Sequence, residues 1–288
     1  MLKINIKKYL IMKKIIIIGA GAMGSAFAVP CLENKNEVTI IGTHLEDDLI
    51  DSIKSNNNFH PALKVELPTK LKVEKYEKLK SILEREVDII VAGVSSIGIE
   101  WFVNQISKNY KKNLPIILLT KGLAIEDNEL ITLSDKIKKL LKKQGHEEVN
   151  VSAIKGPCLA AGLAYKMRTG TVIANPDIKE TEKLKKIIST DYYSTEISDD
   201  LTGVELAGAI KNIYSMLIGA SEGLSNSKAP KEIQSKYYLN TSASLIHRSI
   251  SEMVEFVSYY GGKVDTVYGL AGLGDLYVSA IGGRNSLM

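Results

Sequence analysis

Cysteine is scarce. Among 288 residues only Cys31 and Cys158 occur, far apart and without the spacing of metal ligands. This argues against a disulfide framework and makes the cytoplasm the expected compartment. No segment approaches the ~20 consecutive apolar residues that span a bilayer, so no membrane partner is expected. The four histidines (His44, His60, His146 and His247) show no ligand pattern, and no metal site is expected. Basic residues are not gathered into a stripe either. The net charge of +4 and pI near 8.7 suit small anions but lack the dense patch of a nucleic-acid binder. The lysine-rich stretch 136–148 sets its lysines around leucines like the wet face of an amphipathic helix. There is no internal repeat or low-complexity tract. The opening MLKINIKKYLIMKK is basic, but the apolar run Ile15–Ile18 is too short for a signal peptide and leads into glycines, not a cleavage site. Met12 reads as the natural start, with residues 1–11 an extension without a role in the fold.

The hydrophobic content of 45% and charged content of 24% are those of an ordinary globular chain. Short Ile/Val-rich runs at Ile15–Ile18, Val38–Ile41, Val87–Val94, Pro115–Thr120 and Val149–Ile154 read as buried strands. Between them, Met23–Leu32, Leu45–Lys54, Tyr76–Arg85, Gly98–Lys108 and Leu130–Lys143 read as helices. That alternation predicts an α/β fold, a doubly wound, Rossmann-type parallel sheet with helices on both faces. From about Leu201 the apolar spacing becomes helical throughout, which predicts an all-α second domain. The expected division is residues 12–198 and 199–288.

The segment IIIIGAGAMGSAFA carries Gly19, Gly21 and Gly24 as G-x-G-x-x-G, after a buried strand and at the start of a helix. In that context Gly19 permits the tight turn, Gly21 lets backbone approach a pyrophosphate, and Gly24 allows close helix–strand packing. Backbone N–H groups around Ala22 and Met23, aided by the helix dipole, would then hold phosphate charge. An NAD site normally has an acid near the end of the second strand. Here Gly42, Thr43 and His44 precede the first acid, Glu46, and no arginine for a 2′-phosphate is evident. The cofactor is therefore read as NAD or NADP, with Thr43 at its edge.

Five further stretches follow in order: VSS (94–96), TKGL (120–123), KGPCLA (155–160), GVELAGAIKN (203–212) and GLAGLGDL…GGRN (269–285). With the glycine loop they resemble the NAD(P)-dependent glycerol-3-phosphate dehydrogenases over nearly the whole chain from Met12. The resemblance implies interconversion of sn-glycerol 3-phosphate and dihydroxyacetone phosphate by hydride transfer, feeding glycerophospholipid synthesis. It places the general base or acid on Lys211 and substrate and cofactor contacts on Lys121. A second cation there would also lower the Lys211 pKa, as burial would. It further implies substrate contacts at Gly156, Cys158 and Asn212, and cofactor contacts at Ser95 and Ala160. Asp275 would orient Lys211 or accept from a substrate hydroxyl. Arg284, whose planar fork suits a phosphate dianion, would clamp the substrate and lie near the cofactor phosphates, with Asn285 and the backbone of Gly283 beside it.

Two departures from the family pattern stand out. Cys158 occupies a position that commonly holds Thr or Ser, and a thiol donates poorly. The family also continues past the Arg-Asn pair with further helices, so the helical domain is expected to be truncated. The polar stretch 225–240 reads as a surface loop, Trp101 as core, and the small residues Ala207, Gly208 and Ala209 as room for substrate and cofactor. The resemblance is compatible with a homodimer. Other readings remain open: a reductase of another small substrate on the same plan, or a catalytically inactive dinucleotide-binding protein.

Overall fold

The computed structural model describes residues 12–228, 230 and 234–282. Residues 1–11, and the expectations for Gly283, Arg284 and Asn285, lie outside the described residues.

The first strand, β1 (Lys14–Ile18), shows why the chain folds as it does. Its side chains alternate between faces, so Ile15 and Ile17 enter one hydrophobic core while Ile16 and Ile18 enter another on the opposite side of the sheet. Burying each isoleucine contributes ~1.5–3 kcal/mol, so a four-isoleucine run strongly favours a strand covered on both faces. The chain continues through α1 (Ala22–Glu33), β2 (Glu37–Ile41) and α2 (Asp47–Ser55). A short hairpin, β3 (Phe59–His60) and β4 (Val65–Glu66), precedes the edge strand β5 (Lys72–Glu74). Then come α3 (Leu79–Leu83), β6 (Ile89–Ala92), α4 (Ile99–Ile106) and β7 (Ile116–Leu118).

Next the structure departs from the expected helix at Leu130. β8 (Leu123–Glu126) and β9 (Glu129–Thr132) form an antiparallel hairpin, and α5 (Leu133–Lys143) starts only after it. The reason is the two-residue turn Asp127–Asn128, both at positive φ (53° and 63°), a conformation that Asp and Asn tolerate and that joins twisted strands tightly. Thr132 then caps α5, accepting from the Asp135 N–H at 3.2 Å.

The sheet is completed by β10 (Val151–Lys155), the short α6 (Ala160–Ala164), β11 (Thr169–Ala174), α7 (Ile178–Ile188) and β12 (Tyr193–Ser198). Its eight strands run in the order β12-β11-β10-β7-β6-β1-β2-β5. Pairing is parallel except between β10 and β11, so β11 and β12 run against the rest at one edge. The Rossmann-type expectation therefore holds as a mostly parallel sheet.

The helical part opens with α8 (Leu201–Lys228), packed along α9 (Gln234–Tyr259). These two helices occupy most of residues 225–240, where the sequence suggests a surface loop. Asp200 fastens the entry to α8. Its carboxylate accepts from the Gly203 N–H (2.9 Å), the Lys263 N–H (2.8 Å) and the Thr266 hydroxyl (2.6 Å). The last two lie at or beside α10 (Val264–Tyr268). A π-helical turn, Leu270–Gly274, then leads into α11 (Asp275–Gly282). Leu206, Ile218, Met253, Val257, Val267 and Leu276 bind these helices into a separate small core.

Candidate active site

The glycine loop sits between β1 and α1. Gly19 adopts φ +110°, and a Cβ there would lie 2.7 Å from the Gly93 carbonyl. A Cβ on Gly24 would lie 2.4 Å from the Gly19 oxygen. These contacts let α1 approach the strand ends so closely that any side chain would force the loop open. The Gly19 N–H is taken by Ile41 O at 2.8 Å. Among the described residues, the N–H groups of Gly21, Ala22 and Met23 have no protein acceptor. Free donors at a helix start beside a glycine cradle fit a dinucleotide pyrophosphate. Ser95 is exposed on the adjoining turn after β6, and Thr43 is half-buried after β2.

A second group lies at the carboxyl ends of β7 and β10. The Thr120 hydroxyl donates to Val94 O at 2.6 Å, tying this strand end to the turn beside the glycine loop. Lys121 follows, its side chain 26% exposed. Gly156, at φ +134°, turns the chain after β10 against Thr171. Cys158 is half-buried there, and burial pushes its thiol up to about 12, so it stays protonated. Ala160 begins α6 and packs against the core.

The third group comes from the helices. The π-helical turn closes with the Gly274 N–H donating to Gly269 O at 3.2 Å. A Cβ at Gly272 would sit 2.1 Å from Val267 O, so the tight turn requires that glycine. The turn delivers Asp275, 1% exposed, to the site. Lys211, 4% exposed, comes from α8. Its ammonium donates to Asp275 Oδ1 at 2.8 Å and also to the Ser279 hydroxyl. Lys121 donates to the other carboxylate oxygen, Oδ2, at 2.5 Å. One buried carboxylate thus bridges two lysines from different parts of the fold. Burial and, second to it, the Lys121 charge lower the Lys211 pKa while Asp275 opposes both, with a net value of about 8. Asn212 is half-buried one position on, and its side chain makes no hydrogen bond to this cluster.

Some residues play other parts than their sequence context suggests. Gly208 leaves room for Lys155 and not for a ligand: a Cβ there would lie 3.2 Å from the Lys155 Cδ and Cγ. Lys155, 2% exposed, donates to Leu118 O (3.2 Å) and Thr120 O (2.7 Å), and burial brings it down to about 8. Glu205 is buried nearby and accepts from the Ser134 N–H at 3.1 Å; burial raises its carboxyl above the usual range. The lone charge in the wholly buried VSAIK strand was the available signal for Lys155. His60 is also buried, its Nε2 donating to Ala20 O at 3.0 Å while the Leu63 N–H donates to Nδ1, so it buttresses the glycine loop. No sequence pattern marks it. Trp101 is half-buried and packs on the edge of the core, its ring 5.2 Å from that of His44 and 5.6 Å from that of Tyr76.

A wide cleft lined by Lys13, Asp88, Asn113 and Asn150 lies at the amino ends of the parallel strands, away from this cluster. Ligands of such sheets sit at the carboxyl ends, where Lys121 and the glycine loop lie. Among the described residues no cluster of potential metal ligands occurs, and no helix is long and apolar enough to cross a membrane.

A dinucleotide cradle joined to a buried lysine–carboxylate–lysine cluster between the sheet end and the helices defines a dehydrogenase of the Rossmann class. Comparison with known proteins narrows this. Residues 14–181 match the family model for the NAD-dependent glycerol-3-phosphate dehydrogenase N-terminus, and residues 200–288 match that for its C-terminus. The chain belongs to the NAD-dependent glycerol-3-phosphate dehydrogenase family. It is 35% identical over 272 residues to the NADP(+)-dependent glycerol-3-phosphate dehydrogenase of Archaeoglobus fulgidus, covering 94% of this chain and 77% of that one. It is 30% identical over 270 residues to the glycerol-3-phosphate dehydrogenase [NAD(P)+] of Mesoplasma florum, covering 93% and 75%. The crystal structure of glycerol-3-phosphate dehydrogenase from Coxiella burnetii superposes with a TM-score of 0.79 at 27% identity, covering 96% of this chain and 78% of that one.

Proposed function

We propose that the protein interconverts sn-glycerol 3-phosphate and dihydroxyacetone phosphate with NAD or NADP, a step that feeds glycerophospholipid synthesis. The observation that carries this reading is the Lys211–Asp275–Lys121 cluster at the carboxyl end of the sheet, linked to the glycine loop through the Thr120–Val94 bond. The bound dinucleotide supplies the hydride acceptor or donor. Residues 12–198 would bind it, through Gly19, Gly21, Ala22, Met23, Gly24, Thr43, Ser95 and Ala160, and residues from 199 on would complete the substrate site.

With its pKa at about 8, Lys211 is present in both protonation states near neutrality. The neutral amine takes the proton from the substrate hydroxyl, and the ammonium returns it to the developing alkoxide in reduction. Asp275 holds the Lys211 nitrogen in place. Lys121, more exposed, donates to the substrate oxygen and touches the cofactor. Gly156 supplies backbone and Cys158 a weak donor to the substrate, with Asn212 at its edge. Gly283, Arg284 and Asn285 are proposed to hold the phosphate. Ile213, Met216 and Leu217 are exposed on α8, and this apolar strip supports a homodimer; the cytoplasm is proposed as its compartment from the scarcity of cysteine.

The test is a direct rate: oxidation of NADH or NADPH by dihydroxyacetone phosphate, wild type against Lys211→Ala. Losing the acid–base group should cut the rate by about 10²–10⁴. Equal rates would remove Lys211 from the mechanism.

A further inference from the structure

We propose that Glu46 selects the dinucleotide, accepting from the adenosine ribose hydroxyls of NAD and repelling the 2′-phosphate of NADP. The inference deepens the dehydrogenase reading above and rests on it. An acid near the end of the second strand does this work in dinucleotide folds. Counted along the chain Glu46 comes late, after Gly42–Leu45, but the backbone doubles back. The Glu46 N–H donates to Thr43 O at 3.0 Å, and Gly42 is pressed so close to Ile50 that a Cβ would lie 2.8 Å from its Cγ1. The carboxylate is thereby returned to the strand end. Its Oε2 accepts from the Thr43 N–H at 2.7 Å and from the Ala20 N–H of the glycine loop at 3.0 Å.

Those two N–H groups bracket the place where ribose meets the glycine loop, and a negative charge already holds them. A neutral hydroxyl can donate to that carboxylate, whereas a phosphate dianion can only oppose it. The surroundings add to the bias. Asp47 and Asp48 follow in the first turn of α2, and no Lys or Arg occurs from Gly42 to Ile53. Two lysines on and beside α2 are engaged, Lys54 with Glu74 at 3.2 Å and Lys75 with Asp51 at 2.6 Å. The Archaeoglobus fulgidus relative is named for NADP(+); the acidic surroundings of Glu46 give this chain the opposite preference.

The chain has a single tryptophan, Trp101, 5.2 Å from the His44 ring, so its fluorescence reports directly on occupation of this end of the crevice. NADH and NADPH would be titrated separately, without substrate, into wild type, Glu46→Gln and Glu46→Ala. The wild type should bind NADH at least ~30-fold more tightly, the equivalent of ~2 kcal/mol. Glu46→Gln keeps an oxygen for both N–H groups and so keeps the fold. It should bring the two affinities within about threefold, chiefly by strengthening NADPH. Glu46→Ala should do the same with weaker NADH binding. Equal or tighter NADPH binding by the wild type, or an unchanged ratio in both variants, overturns the assignment. Failure of the wild type to bind either dinucleotide would overturn the dehydrogenase reading itself, and this inference with it.

Discussion

Replacing Asp275 by Asn keeps the shape of the side chain and removes its charge, and the structure says how much should follow. The carboxylate is 1% exposed and touches Lys211 at 2.8 Å and Lys121 at 2.5 Å. At an effective dielectric of ~20, attraction at such a separation is roughly 6 kcal/mol per pair, most of it offset by the cost of taking the ions out of water. The Lys121 share is reduced further, since its side chain is 26% exposed. Removing one partner of a buried pair leaves the other charge uncompensated, a net loss of about 3–5 kcal/mol near pH ~6. The pH dependence has a definite sign. In the wild type Lys211 titrates at about 8 when folded against 10.5 when free, so stability gains from its deprotonation between those values. Asp275 raises the folded pKa, so the variant's is lower still, and its unfolded chain holds the extra proton from a lower pH onward. Its stability therefore starts to climb while that of the wild type is still flat, and the gap between them narrows as pH rises toward ~9. Denaturant unfolding of both proteins at about pH 6, 7.5 and 9 measures this, with turnover assayed in parallel and expected to fall ~100-fold as Lys211 loses its orientation. A loss under about 1 kcal/mol at the lowest pH, or a gap that stays constant, would refute the view that Asp275 compensates buried positive charge.

Oxidation of glycerol 3-phosphate should rise with pH through about 8 as Lys211 becomes neutral, and reduction should fall through the same range. In Lys121→Met the neighbouring cation is gone, so both profiles should move to higher pH; profiles that stay put or move down would show that Lys121 does not act on Lys211. Gly24→Ala sets a methyl 2.4 Å from the Gly19 oxygen, so NADH affinity measured by calorimetry should fall at least tenfold while a cooperative thermal transition persists. Undiminished affinity would mean that the glycine loop is not the cradle.

Five of the eight sheet strands, β1, β2, β6, β7 and β10, were readable as Ile/Val-rich runs, with the glycine spacing directly after the first. By contrast, β5, β11 and β12 mix in polar residues or glycine and carry no such run. The turn at Asp127–Asn128 was also written in the chain. It was obscured because Leu130–Ile131–Thr132 continues into a helical pattern, and a short apolar run does not reveal its period. The convergence of Lys121, Lys211 and Asp275 was legible only as separate motifs, since nothing local says that a π-helical turn will aim Asp275 between two ammonium groups. Glu46 and Lys155 were harder still. Glu46 reaches its place through a reversal of Gly42–Leu45, and Lys155 is sustained by carbonyls at Leu118 and Thr120, far away in sequence.

The bridging carboxylate has a mechanical consequence. Lys121 follows β7, whereas Asp275 and Lys211 belong to the helices, so any parting of the sheet from the helices would stretch the Lys121–Asp275 contact before it disturbs the Lys211–Asp275 one. Opening withdraws a positive neighbour from Lys211 and strengthens its hold on a proton; closing loosens that hold. The protonation of Lys211 would therefore follow any opening of the crevice, toward the ammonium that reduction uses and away from the amine that oxidation uses.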